Sequence, residues 1–193
     1  MSAKYQRLTD FLLELDALKT INRRSYINTG ERLENSAEHS WHLAMACWTF
    51  SEYLQEEFDV EKLLKLALVH DLGEIDAGDT FLYSADRSEA PDKEREGVAR
   101  LASHNGNSIT NLLNLWDEQE YGNSKEAKLL KVLDRLLPLL LNLASEGKTW
   151  RENGITKQQV LKAHQFIANE DNELHAWITK QLDVAVSKGW LSE

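Results

Sequence analysis

Polar, ionisable side chains set against long apolar helical runs constrain this chain most. His70 and Asp71 follow Leu63, Leu64, Leu66, Ala67, Leu68 and Val69, which run almost around the circumference of a helix that Asp59 can cap. That helix is expected to be central. Asp134 lies inside a second such run, between Leu129, Leu130, Val132 and Leu133 on one side and Leu136, Leu137, Leu139, Leu140 and Leu141 on the other. Burying carboxylates among hydrocarbon is costly unless a cation shares the site. For Asp134 an ion pair with Arg135 or Lys131 is the simpler alternative.

The remaining pattern is helical as well. Leu8, Phe11, Leu12, Leu15, Leu18 and Ile21 recur at helical intervals and predict an amphipathic helix ending near Asn22. The polar segment Arg23 to Glu34 has no clear period and reads as an ordered loop. Asn35 with Glu38 three positions on forms a capping-box signature, opening a helix that turns His39, Leu43, Ala46, Cys47, Phe50 and Leu54 inward. Past His70-Asp71 the chain should leave its helix near Asp76 and turn through Gly78-Asp79. Pro91 suits the first turn of the next helix, which continues through Val98 and Leu101 and, after a break near Asn105-Gly106-Asn107, on to Trp116. A long helix follows from Ser124, with a kink expected at Pro138. Trp150 to Gly154 reads as a loop, and two further helices fit Thr156 to Ala168 and Asn172 to Val186.

With no strand evident, and only two Pro and nine Gly to interrupt it, the chain is expected to be all-α. Its 193 residues suit one domain, with a metal-site core at about 21–143 and C-terminal helices at 156–187. A net charge of −10 removes any general attraction to polymeric nucleic acid or anionic lipid. A small anionic substrate then needs a local cation and a few Arg side chains. The single cysteine, Cys47, rules out an intrachain disulfide and reads as a buried structural residue. No apolar run is long enough to span a bilayer, so a cytoplasmic protein is expected.

Two imidazoles and two aspartates suit Mn, Co, Fe, Ni or Zn better than Ca. Side chains at adjacent helical positions leave about 100° apart, so His70 and Asp71 can bracket one ion, with His39 and Asp134 arriving from neighbouring helices. Glu74 is four residues beyond His70 and three beyond Asp71, on the same helical face. His42 is expected to be a hydrogen-bonded core or edge residue, and His104, His164 and His175 surface or structural ones. Lys93-Glu94-Arg95-Glu96 reads as a solvated helix face.

The stretches Glu34-Asn35-Ser36-Ala37-Glu38-His39-Ser40, Leu68-Val69-His70-Asp71-Leu72-Gly73-Glu74 with Gly78-Asp79, and Leu133-Asp134-Arg135 resemble the HD-domain phosphohydrolases, in particular the bacterial 5'-deoxynucleotidases. The resemblance runs from about Ile21 to Leu143. It implies an all-helical fold, usually a homodimer, that removes phosphate from nucleoside 5'-monophosphates using one divalent ion (Mn, Co, Fe, Ni, Zn or Mg). It further implies that His39, His70, Asp71 and Asp134 bind the ion and that Glu74 orients or deprotonates the attacking water. Asp79 would then lie near the sugar and leaving oxygen, with Arg23 contacting phosphate. Where those enzymes place a Trp at the sugar this chain has Arg24, which could instead hold phosphate or be solvated. Other HD hydrolases act on cyclic nucleotides, alarmones or nucleoside triphosphates, and a catalytically silent helical dimerisation module is a third reading.

Overall fold

The computed structural model describes residues 3–54 and 56–193. Helices α1 (Ala3–Asp16), α2 (Ser36–Tyr53), α3 (Val60–Val69), α4 (Glu74–Ala77), α5 (Ala90–Ala102), α6 (Leu112–Tyr121) and α7 (Lys125–Ala144) are followed by α8 (Lys148–Glu152), α9 (Lys157–His164), α10 (Ile167–Glu170) and α11 (Asn172–Ser187). The class is all-α, as the periodicity predicts, with one two-stranded sheet of β1 (Asn22–Tyr26) and β2 (Leu33–Asn35).

Helix starts follow local chemistry. Asn35 accepts from the Glu38 backbone N–H while the Glu38 side chain accepts from the Asn35 N–H, which satisfies two donors that the first turn of α2 leaves open. Thr156 and Gln159 do the same for α9. Asp59 caps α3 through the Lys62 N–H, and Pro91 sits in the first turn of α5.

Three segments depart from the periodicity. Residues 23–34, expected to be a loop, instead form most of a hairpin: Ile27 N–H donates to Arg32 O (3.0 Å), and Gly30 at φ +72° makes the turn that closes it. Trp150 to Glu152, also expected to be a loop, ends the short helix α8, because Trp150 is buried and its N–H reaches Asn142 Oδ1 (3.3 Å). The helix expected over Thr156 to Ala168 divides into α9 and α10 at Gln165-Phe166.

The chain forms two compact units, residues 1–23 with 35–130 and residues 24–34 with 131–193. In the first, α2 packs on α3, α5 lies against α4 and α6, and Phe11, Leu18, Val69, Leu72, Val98, Leu101, Leu112 and Trp116 form a core cluster. The α4 and α5 backbones nearly touch at Gly73, where a Cβ would fall 2.3 Å from the Glu94 carbonyl oxygen. In the second unit, α8 fastens the hairpin turn. Thr149 Oγ1 donates to Arg24 O (2.9 Å), Lys148 Nζ to Gly30 O (2.8 Å) and Tyr26 OH to Glu152 Oε2 (3.0 Å).

Candidate metal centre and active site

The first unit brings together residues that lie far apart in sequence. His39 projects from the first turns of α2, whose start the Asn35 capping box sets, and His70 and Asp71 occupy the turn that ends α3. One ligand atom from each of His39, His70 and Asp71 lies within 4.8 Å of the others, and all three residues are buried. The two imidazole centroids are 5.3 Å apart. His70 Nδ1 is 2.7 Å from Ala67 O; donating there leaves the lone pair on Nε2, the tautomer a metal ligand requires. Trp116 Nε1 donates to His70 O (3.0 Å) and holds the turn from the other side. Two neutral imidazole nitrogens and one carboxylate, buried and this close, fit a first-row divalent ion.

Around this group sit Glu74, Asp79 and Arg23. Arg23 Nη1 is 2.7 Å from Asp71 Oδ2 and 3.9 Å from both Glu74 Oε1 and Asp79 Oδ1. Burial opposes ionisation of Asp71, but in the metal-free protein a protonated His70 imidazolium and the Arg23 guanidinium outweigh it and hold the carboxyl below the usual carboxylate range. Glu74 goes the other way: burial first, and then the negative charge of Asp71, push its pKa well up against the opposing pull of Arg23. Ser36 Oγ donates to Glu74 Oε2 at 2.5 Å and orients it. Burial also raises Asp79, with Arg23 again opposing. Asp71 therefore stays anionic and suits a ligand, while Glu74, pushed up to about 9, holds a proton at neutral pH until a cation beside it lowers that value.

Arg24 follows Arg23 on β1, where successive side chains alternate, and is exposed. Asp134 belongs to the second unit, on α7, where Arg135 Nη1 donates to its Oδ2 (3.3 Å). His164, expected to be surface or structural, is structural: it is buried, with its ring nitrogens 2.7 Å from Val160 O and 3.1 Å from Arg135 O. His104 stacks on Phe11, His42 is half-buried beside Trp41, and Cys47 is fully buried.

One residue of the site escaped the sequence pattern. Of the run Lys93-Glu94-Arg95-Glu96, expected to be a solvated face, Glu94 is buried while its three neighbours are exposed. The signal was present: Glu94 falls in helical register with Ala90, Gly97, Val98 and Leu101, the buried face of α5. Burial raises its pKa to about 7, with Arg87 opposing and Asp71 reinforcing.

Comparison with known proteins agrees with this geometry. The HD domain family model matches residues 15–175, and the chain belongs to the HD-domain family of metal-dependent phosphohydrolases. It is 31% identical over 131 residues to 5'-deoxynucleotidase HDDC2 of Dictyostelium discoideum, covering 64% of this chain and 69% of that protein. The corresponding figures for HDDC2 of Danio rerio are 28% over 132 residues, with 67% and 64% covered. The chain thus spans about two thirds of the length of these relatives. A crystal structure described as a predicted metal-dependent phosphohydrolase, from Magnetospirillum magnetotacticum MS-1, superposes with a TM-score of 0.86 at 35% identity, over 99% of this chain and 97% of that one.

Proposed function

We propose that the protein is a phosphomonoesterase that hydrolyses (deoxy)nucleoside 5'-monophosphates to nucleoside and phosphate with one divalent ion. The observation that carries this reading is the placement of Glu74, buried, oriented by Ser36 and set beside the His39, His70 and Asp71 group. The deoxynucleotidase relatives supply the substrate class.

An ion held by His39, His70 and Asp71, with Asp134 as the fourth ligand, would supply Lewis-acid chemistry that neutralises phosphoryl charge and makes water a usable nucleophile. Glu74 takes the proton from the attacking water, and the Ser36 hydroxyl keeps the accepting carboxyl in line. Arg23 supplies positive charge for the phosphate, which an acidic chain needs to concentrate at one place, while Arg24, exposed on the alternate face of β1, is left to solvent. Asp79 stands by the leaving oxygen. The family match runs across both compact units, which supports reading residues 1–193 as one HD domain.

We also propose a cytoplasmic homodimer. The leucines of α7 do not support a dimer, because Leu129, Leu130, Leu133, Leu136, Leu137, Leu139 and Leu141 are already buried in the single chain. Trp41, Met45 and Trp48, exposed at i, i+4 and i+7 on α2, support it better. Among the described residues no helix is long and apolar enough to cross a membrane.

The test is a panel of ribo- and deoxynucleoside monophosphates assayed with Mn, Co, Mg and Zn. Phosphate release is expected, and its absence under every condition would refute the reading. Pyrophosphate or triphosphate as product would point to a different HD hydrolase. Asp134→Ala is expected to lower bound metal; an unchanged metal content would remove Asp134 from the ligand set.

A further inference from the structure

Glu94 is 9% exposed and, among the described residues, takes no hydrogen bond and no close ion pair. Its oxygens are not fully shielded, so water satisfies the carboxyl in the free protein and a ligand that displaces this water has to replace its hydrogen bond. Its backbone is held against the metal-centre turn, since α5 meets the turn after His70-Asp71 at Gly73 and Glu94, with no room there for a Cβ. The charges around its carboxyl are those of Arg87, Asp71, Glu120 and His70. Arg87 donates to Thr80 O (3.2 Å), which ties it to the loop carrying Asp79, and its charge bears on both Asp79 and Glu94.

We propose that Glu94 is a substrate-binding residue whose carboxyl pairs with a sugar hydroxyl of the nucleotide. The inference rests on the phosphomonoesterase reading above. A second metal ion fits the position poorly, because the one group of three His, Cys, Asp or Glu ligands found among the described residues is His39, His70 and Asp71, without Glu94. A phosphate oxygen fits no better, since an anion would meet Asp71, Glu120 and Glu94 together. A hydroxyl donates without bringing charge, so it satisfies the carboxyl and leaves the phosphate to Arg23.

The experiment compares kcat/KM for a ribo-, a deoxy- and a 2',3'-dideoxynucleoside 5'-monophosphate of one base, with p-nitrophenyl phosphate as a substrate lacking sugar. Wild-type protein is expected to favour a substrate bearing the hydroxyl about ten- to hundredfold over the one lacking it. Glu94→Ala should collapse that preference and lose far more on the favoured nucleotide than on p-nitrophenyl phosphate. Glu94→Gln, which keeps shape and hydrogen-bonding capacity, should retain part of the preference and, by thermal melting, the fold. The inference is overturned if wild type does not distinguish the three sugars, if Glu94→Ala keeps the preference, or if that variant loses equally on nucleotide and p-nitrophenyl phosphate. Cleavage of p-nitrophenyl phosphate with no turnover of any nucleotide would overturn both this inference and the function it rests on.

Discussion

Arg23 Nη1 stands 2.7 Å from Asp71 Oδ2, so a guanidinium from the hairpin neutralises the carboxylate of the His-Asp pair. The same nitrogen lies 3.9 Å from both Glu74 Oε1 and Asp79 Oδ1, so one side chain bears on three acids. Arg23→Met is expected to cost the metal-free protein about 3–5 kcal/mol, the usual penalty for leaving buried charge unpaired. Saturating Mn should return more stability to the variant than to wild type, as judged by urea unfolding. An equal response of the two proteins would show that Arg23 and a metal do not share the task.

Glu74 is the proton acceptor of the proposed reaction and is separate from the His39, His70 and Asp71 ligand group. Glu74→Gln keeps its shape and the Ser36 contact but cannot accept the proton. A fall in kcat of about 10²- to 10⁴-fold is expected, with metal content by elemental analysis unchanged. Wild-type kcat in this variant would remove Glu74 from the chemistry.

Glu94 makes stability depend on pH. Its folded pKa of about 7 lies above the ordinary 4.5, so the folded state binds the proton more tightly than the unfolded chain. Its contribution is therefore greatest at low pH and is lost as pH rises from 4.5 through about 7. A shift of this size is worth up to about 3 kcal/mol. Glu94→Gln should gain on wild type across that window in chemical denaturation; parallel curves for the two proteins would place the carboxyl in water.

Gly73 has an ordinary helical φ of −64°, so its requirement is steric rather than conformational. A methyl group there would meet the Glu94 backbone and force α4 and α5 apart. Gly73→Ala is expected to cost about 1–3 kcal/mol and to weaken metal binding, because the turn carrying His70 and Asp71 moves with α4. Unchanged Tm and metal affinity would contradict the close approach.

Local features were readable in the sequence because they act over three or four residues. The Asn35–Glu38 and Thr156–Gln159 boxes, the Asp59 cap and Pro91 each mark a helix start through groups that meet whatever the rest of the chain does. The run from Leu63 to Val69 likewise announced a central helix with His70 and Asp71 at its end. The hairpin was not readable: its strands are three and five residues long, and Lys148, Thr149 and Glu152, more than a hundred residues away, hold its turn. The helix periodicity of α5 was visible, but five charged residues in a row, Asp92 to Glu96, concealed which of them faces inward.

Composition and periodicity thus determined a helical protein and which polar groups its apolar helices would have to accommodate. Tertiary structure decided what stands beside those groups: Arg23 against Asp71, the Ser36 hydroxyl on Glu74, and Glu94 against the turn at Gly73. Helix formation depends on neighbours in sequence, whereas the charge state of a buried carboxyl depends on neighbours in space.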